Sequence, residues 1–588
     1  MKFPAIPLAQ TVVRLCQHYQ IERIVISAGS RNAPLTNGFV SNSYFKTYSV
    51  VDERAAAFFA LGMAQQLQQP VALVCTSGSA LLNYYPAIAE AYYSNIPLVV
   101  LSADRMPHRI DIGDGQTIRQ TGVFEPHLET AAVLKPDVIH ASKTLLDSPL
   151  QTLLPPNAST KEIGEIQKET QIHNTQEIHR TLNQAMVNKG PVHLNIPLEE
   201  PLYEMSETPI PLNLDYTFHT KKNSSEDLKS AIQSWHQSIK KWVIIGVLEP
   251  NSISDENLEK LCSDPSVVVF TETTSNINHS KALNSIDTLM APLELSQSIA
   301  NESIQPELLM TFGGMVVSKK IKQFLRKYQP KSHWHIHEKK AYNTYYCLDQ
   351  HIQKTPDQFL TDLYKNAPIS SSDFHHSIFS IYQKFKEKGN RYLNQTPFSD
   401  LKVFETLASR IPESLNLQIA NSSSIRYTQL MDWSKGIHFF CNRGTSGIDG
   451  STATAVGAAQ CSERPTVLIT GDLSFFYDIN GLWNQYIPSH FRIILINNKG
   501  GGIFRILPGE KDSPNYDQYF ETVHNRDARY VAKTFGLDYS KAHSQWGLKH
   551  KLSHFFKKGN RPKLLEIQTP RVQNDRILLD YFKSMASE

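Results

Sequence analysis

The sequence predicts an α/β protein made of three successive α/β domains with parallel sheets. Two observations predict it. At 588 residues the chain exceeds what one hydrophobic core supports, so several domains are required. Along it, short β-branched runs alternate with helix-length segments, the pattern of βαβ units.

In the first third, runs at 24–27, 71–75 and 98–101 each end in a turn of Gly, Ser or Asp. A further run at 192–196 stops at Pro197, and the polar, proline-interrupted stretch after it marks a boundary. The first domain is placed at 1–200. Runs at 242–245, 267–270 and 308–312, separated by polar helix-length segments, define a second domain at 215–365. The helical stretch IFSIYQKFKEK then opens a third, 375–588, with runs at 417–420, 439–441, 467–470 and 493–496.

Hydrophobic residues make up 40% of the chain and charged residues 20%, an ordinary globular composition. Lys and Arg number 59 against 56 Asp and Glu, and a net charge of +3 is too small to argue for nucleic-acid or membrane-surface binding. The six cysteines, Cys16, Cys75, Cys262, Cys347, Cys441 and Cys461, form no CxxC pair and no zinc-spaced Cys/His cluster. They are expected to be reduced core residues. No signal-peptide run and no apolar stretch of bilayer length is present, so a soluble cytoplasmic protein without membrane insertion is expected.

The strongest chemical signal lies in the third domain. Strand VLIT runs into Gly471, Asp472 and Leu473, and strand RIILI runs into Asn497, Asn498, Lys499 and Gly500. Both segments sit at carboxyl ends of predicted parallel strands, where open α/β sheets bind ligands. The Asp472 carboxylate, the Asn498 amide oxygen and the Gly500 carbonyl form an all-oxygen set suited to a hard cation such as Mg²⁺, which would bridge to a diphosphate. Taken alone, Asp472 reads as a helix N-cap. The Asn-Asn-x-Gly one strand later changes that reading.

On these residues the sequence resembles the thiamine-diphosphate enzymes, whose cofactor motif begins with GD and ends with NN. The resemblance continues in order through SAGSRNAPL, VDERAAAFFALGMA, TSGSALLNYYPAIAEA, SADRMPHRIDIGDGQTIRQ, NSSSIR, NRGTSGIDG, GDLSFFYDINGL and NNKGGGIF. Leu473, where many members have glycine, together with YDIN is similar to the menaquinone-pathway branch. The middle region matches only through TFGGMVVSKK.

The resemblance implies thiamine-diphosphate-enzyme architecture, with a pyrimidine-binding first domain, a middle domain, and a third domain binding diphosphate and Mg²⁺ (or Mn²⁺). It implies a C–C bond-forming transferase that decarboxylates 2-oxoglutarate and adds the succinyl carbanion equivalent to isochorismate. It also implies a homodimer or dimer of dimers with sites shared across a two-fold axis. Glu53 is carried over as the glutamate that hydrogen-bonds N1′ of the aminopyrimidine, and Gln116, Ile448, Gly471, Asp472, Leu473 and Asn498 as further cofactor contacts. Ile448 lies where the family places the bulky aliphatic residue that props the cofactor in its bent form. Ile503, Phe504 and Leu507 fall where the family builds an apolar wall. Standing alone, Glu53 reads as a first-turn helix glutamate.

The three carboxylates these substrates retain require cations, preferably bidentate arginines. Arg31, Arg105, Arg426 and Arg443 all lie inside the matching blocks. The resemblance assigns Ser422 and Arg426 to the distal carboxylate of 2-oxoglutarate, Ser30, Arg31 and Arg105 to isochorismate, and Arg443 to the pocket wall. A lone arginine is more simply a weak surface ion pair. Two departures stand out: Ala28 replaces the common proline, and Gly115 replaces a substrate-contacting asparagine. Middle-domain basic residues for the acceptor have no clear counterpart.

The nearest alternative is another thiamine-diphosphate 2-oxo-acid decarboxylase or carboligase, which has no need of several arginines. A non-catalytic protein that kept the fold is disfavoured by the joint presence of Glu53, Asp472 and Asn498. No GxGxxG follows the first strand, and no GxSxG elbow is formed.

Overall fold

The computed structural model describes residues 2–214, 216, 228–296, 300–365, 371–506 and 513–587. It contains three parallel sheets and one small antiparallel pair, Phe3–Pro4 with Met205–Ser206. The residues fall into two compact units, the first comprising 1–220, 449–463 and 478–488, the second the remainder.

In the first unit, six parallel strands run in the order Lys46–Ser49, Arg23–Ile26, Val71–Cys75, Leu98–Asp104, Val192–Pro197, Thr130–Val133. The central strands VALVC and LVVLSAD are buried along their whole length, as parallel strands covered on both faces must be. The last of these extends three residues beyond the apolar run to include Asp104. The edge strands KTYS and TAAV are half-exposed. Their mixed polarity hides them from a search for apolar runs.

Helix Glu53–Leu67 is apolar on all sides, with every residue from Ala55 to Gln65 buried. Such a helix must be covered all round. Part of that cover is helix Ser451–Gln460, whose sequence STATAVGAAQ is almost entirely buried small residues. The two cross closely: a Cβ on Gly62 would lie 1.9 Å from the Thr454 carbonyl oxygen, and one on Gly457 would lie 1.9 Å from that of Phe59.

In the second unit, the middle sheet runs Val267–Thr271, Lys241–Ile245, Leu308–Phe312, Ser332–Ile336, Gln350–Ile352. The C-terminal sheet runs His438–Phe440, Asn416–Ile419, Thr466–Gly471, Arg492–Asn497, Lys563–Gln568, Asp538–Ala542. A single hydrophobic core reaches from Trp242 and Phe270 in one sheet to Ile494 and Leu565 in the other. Helix Phe374–Gln395 joins that core through one buried stripe, Phe374, Ile378, Tyr382, Phe385, Gly389 and Leu393, spaced three or four residues apart as one helix face requires.

Candidate active site

In the first unit, the predicted residues gather at the carboxyl edge of the sheet. Ser30 follows strand Arg23–Ile26, Glu53 opens the helix after Lys46–Ser49, and Arg105 follows Leu98–Asp104. Crossovers leave the two inner strands Arg23–Ile26 and Val71–Cys75 toward opposite sides of the sheet, which makes this the switch-point crevice where such sheets bind ligands. Glu53 is partly buried. Its charge is felt by the buried Cys75 and Tyr84. The Gln116 carbonyl accepts from the Ser77 hydroxyl at 2.8 Å, and Arg105 donates to the Gly115 carbonyl at 3.2 Å. A Cβ at Gly29 would lie 2.4 Å from Cβ of Thr76, so only glycine lets these turns meet.

Arg31 is buried, and its guanidinium donates to the Leu198 carbonyl and to Glu200, each at 3.0 Å. The Glu200 side chain is 62% exposed, so this partner is open to competition from another carboxylate. Beneath the Arg105 loop lies a buried polar network. Gln120 accepts from the Gly78 amide at 2.9 Å and donates to Asn195 at 2.6 Å; Asn195 donates to Asp104 at 2.8 Å. Burial pushes the neighbouring His193 down to about 3, so this imidazole is neutral.

In the second unit, a cavity of about 170 Å³ opens at the carboxyl edge of the C-terminal sheet. Ser422, Ile448, Gly471, Asp472, Leu473, Asn498, Gly500, Ile503 and Phe504 all line it. Asp472 is buried; its Oδ1 accepts from the Leu473 amide at 2.7 Å and its Oδ2 from the Gly500 amide at 3.0 Å. Nε2 of His524 stands 3.4 Å from Oδ2. Asn498 donates through Nδ2 to Asp400 at 2.9 Å, so the oxygen end of its amide is the end available to a ligand. Gly500 comes close to its neighbour, since a Cβ there would lie 2.7 Å from the Glu521 carbonyl oxygen. Burial raises the Asp400 carboxyl to about 6, opposed by hydrogen bonds from Thr569 and Asn498. Ser422 has φ +66, a costly backbone state for serine of the kind concentrated at functional sites. Leu507 lies outside the described residues.

Arg426 and Arg443 are absent from the cavity lining but belong to its surroundings. Arg443 donates at 2.7 Å to Asn421, which does line the cavity. Burial lowers the Arg426 pKa, Asp287 and Glu272 oppose that shift, and Arg443 adds to it. Glu272 accepts from the Val317 and Ser318 amides at 2.7 and 2.8 Å, and burial raises it to about 7. On the middle sheet side, Lys322 feels Glu272, Arg443, Arg326 and Arg426. Lys322 and Arg326 are thus middle-region cations beside the two arginines, invisible in the sequence because the basic residues of helix Lys319–Lys327 fill the side opposite the buried Ile321 and Leu325, as on any amphipathic helix.

Three stretches match known thiamine pyrophosphate enzyme domains: the N-terminal TPP binding domain over residues 6–130, the middle domain over 213–419, and the C-terminal TPP binding domain over 422–567. The 2-succinyl-5-enolpyruvyl-6-hydroxy-3-cyclohexene-1-carboxylate synthases of Christiangramia forsetii and Flavobacterium johnsoniae are each 48% identical to this chain, over 100% of both partners. The chain belongs to this synthase family. The synthase of Porphyromonas gingivalis is 35% identical over 97% of this chain and 95% of its own.

Membership in the synthase family bears out the resemblance carried by the sequence blocks. Reasoning from sequence missed Asp400, Asn421, Gln120 and Asn195, which hydrogen-bond to site residues or their neighbours but carry no recognisable spacing. Two of them had a signal, Asn421 as the first residue of NSSSIR and Gln120 as the last of SADRMPHRIDIGDGQTIRQ. Asn421 donates to the carbonyls of Asn442 and Gly447 at 2.7 and 2.8 Å while accepting from Arg443, and so holds the loop that ends in Ile448. Among the described residues, no helix is long and apolar enough to cross a membrane.

Proposed function

We propose that this chain decarboxylates 2-oxoglutarate and adds the succinyl unit to isochorismate, yielding 2-succinyl-5-enolpyruvyl-6-hydroxy-3-cyclohexene-1-carboxylate and CO₂ in menaquinone biosynthesis. The observation that carries the reading is full-length identity to the synthases joined to a set of three oxygen-bearing residues at one cavity edge. Asp472, the Asn498 amide oxygen and the Gly500 carbonyl would hold Mg²⁺, and no cationic side chain of Lys or Arg pairs with Asp472 among the described residues. That set fits a hard divalent ion. Thiamine diphosphate supplies, when bound, the electron sink for decarboxylation.

The chain's own residues then bind and orient. Glu53 would hydrogen-bond N1′ of the aminopyrimidine and manage its proton, with Gln116 beside it. Ile448, Gly471 and Leu473 would pack on the cofactor. Arg426 with Ser422 would take the distal carboxylate of 2-oxoglutarate; Ser30, Arg31 and Arg105 would face isochorismate, Arg31 exchanging Glu200 for a substrate carboxylate. Arg443, Ile503, Phe504 and Leu507 would complete the wall. The partly desolvated arginines make a fork-to-carboxylate bond stronger than it is in water.

We further assign 1–200 to pyrimidine binding and 375–588 to the diphosphate and metal, with 215–365 between them, in a cytoplasmic homodimer or dimer of dimers. Mass spectrometry of the product formed from cofactor, Mg²⁺, 2-oxoglutarate and isochorismate tests the reading. Equal CO₂ release from pyruvate without isochorismate would overturn it in favour of a simple decarboxylase.

A further inference from the structure

Within the first unit, residues 478–488 bracket two helix starts at once. On one side, Tyr486 Oη accepts from the Ser49 amide at 2.9 Å and Asn480 Nδ2 donates to Asp52 Oδ2 at 2.7 Å. On the other, Asp478 Oδ2 accepts from the Ala453 amide at 2.9 Å, and a Cβ on Gly481 would lie 2.6 Å from that same nitrogen. The first pair grips the turn leading into helix Glu53–Leu67; the second grips the first turn of helix Ser451–Gln460. Gly450, just before that helix, has φ +69, and a Cβ there would lie 2.3 Å from the Phe58 ring.

Asp52 is the N-cap of the helix that Glu53 begins, its Oδ1 accepting from the Ala55 amide at 3.0 Å. A helix end held by its cap alone is only weakly fixed and is the part of a helix most prone to fray. Here the second carboxylate oxygen of the cap is held by Asn480, so the side chain cannot turn without losing one bond or the other. Glu53 is the next residue.

We propose that Asn480 is a positioning residue for Glu53, acting through the Asp52 cap rather than through contact with substrate or cofactor. This rests on the reading of Glu53 as the group that manages the cofactor's proton, and it extends that reading to a residue more than 400 positions later in the chain. A misplacement of about 1 Å at a proton-handling group costs up to roughly 100-fold in rate.

The readout is the rate at which the C2 proton of enzyme-bound thiamine diphosphate exchanges for deuterium, measured by acid quench and NMR, beside cofactor affinity and melting temperature. Asn480→Ala should slow exchange about 10- to 100-fold with cofactor affinity and melting temperature close to wild type. Asn480→Asp, which opposes two carboxylates, should be slower still. The reciprocal pair Asp52→Asn with Asn480→Asp restores a cap acceptor and one donor–acceptor bond, and should recover most of the exchange rate. Glu53→Gln is the control. If Glu53→Gln stops exchange while Asn480→Ala exchanges at the wild-type rate, the positioning role is overturned and the reading of Glu53 stands. If Glu53→Gln itself exchanges normally, the reading of Glu53 falls and the proposal with it. Loss of affinity and melting temperature in step with exchange, unrescued by the reciprocal pair, would reduce Asn480 to a structural residue and likewise overturn the proposal.

Discussion

Gly457→Ala gives opposite signs under helix propensity and under tertiary packing. Replacing a glycine inside helix Ser451–Gln460 should gain about 1 kcal/mol from propensity alone. The structure predicts a loss. The new methyl would sit 1.9 Å from the Phe59 carbonyl oxygen, where real contacts essentially never fall below 3.0 Å. The neighbour is backbone in the middle of a buried helix, so the two helices must move apart by about 1 Å or more. Overpacking of this kind costs about 1–3 kcal/mol beyond any gain, a fall of about 2–12 °C in the first melting transition. Gly164 is the internal control, since it lies inside helix Thr160–Asn188 with nothing within 4 Å of its Cβ position. Gly164→Ala should therefore stabilise by up to about 1 kcal/mol. Differential scanning calorimetry of both variants decides the matter. A Gly457→Ala protein that melts at or above wild type, alongside the expected rise for Gly164→Ala, would refute the close helix crossing.

Arg426→Lys should weaken use of 2-oxoglutarate by about 1.5–3 kcal/mol while leaving cofactor binding intact, because lysine cannot fork onto a carboxylate; unchanged kcat and KM would remove Arg426 from the donor site. Asp472→Ala should lose Mg²⁺-dependent cofactor binding with the fold retained, and wild type treated with a chelator should behave alike; calorimetric titration with thiamine diphosphate reads both. Co-expression of Glu53→Gln with Asp472→Ala should return about a quarter of wild-type activity if each site pairs Glu53 with the partner subunit's Asp472, whereas no recovery points to sites built within one chain. Asp478 is buried and raised to about 7 by desolvation. Because its folded pKa lies above the unfolded value, its contribution to stability is full at acid pH and is lost as pH rises through about 7. Asp478→Asn keeps the acceptor for Ala453, so its melting temperature should fall less than that of wild type between pH 5 and pH 8.

Much of the site was legible because its residues sit at strand ends. The apolar runs at 71–75 and 308–312 coincide with observed strands, and a parallel sheet places whatever follows each strand at one edge. Asp472 and Asn498 were found this way, 26 positions apart yet lining one cavity. Strands such as Lys46–Ser49 and Asp538–Ala542 were missed because they lie at sheet edges, where exposure removes the apolar pattern.

The sequence by itself determined the fold class, the order of the strands' ligand-bearing turns, and membership in the family, since these depend on local periodicity and ordered motifs. Only the tertiary structure decided that residues 449–463 and 478–488 pack with the first 220 residues, that Asn498 presents its oxygen because Asp400 takes its nitrogen, and that Asn480 holds the cap before Glu53. Each of these is a pairing between residues far apart in the chain. No local propensity encodes it, because the energy that selects it exists only when both surfaces are already folded and desolvated.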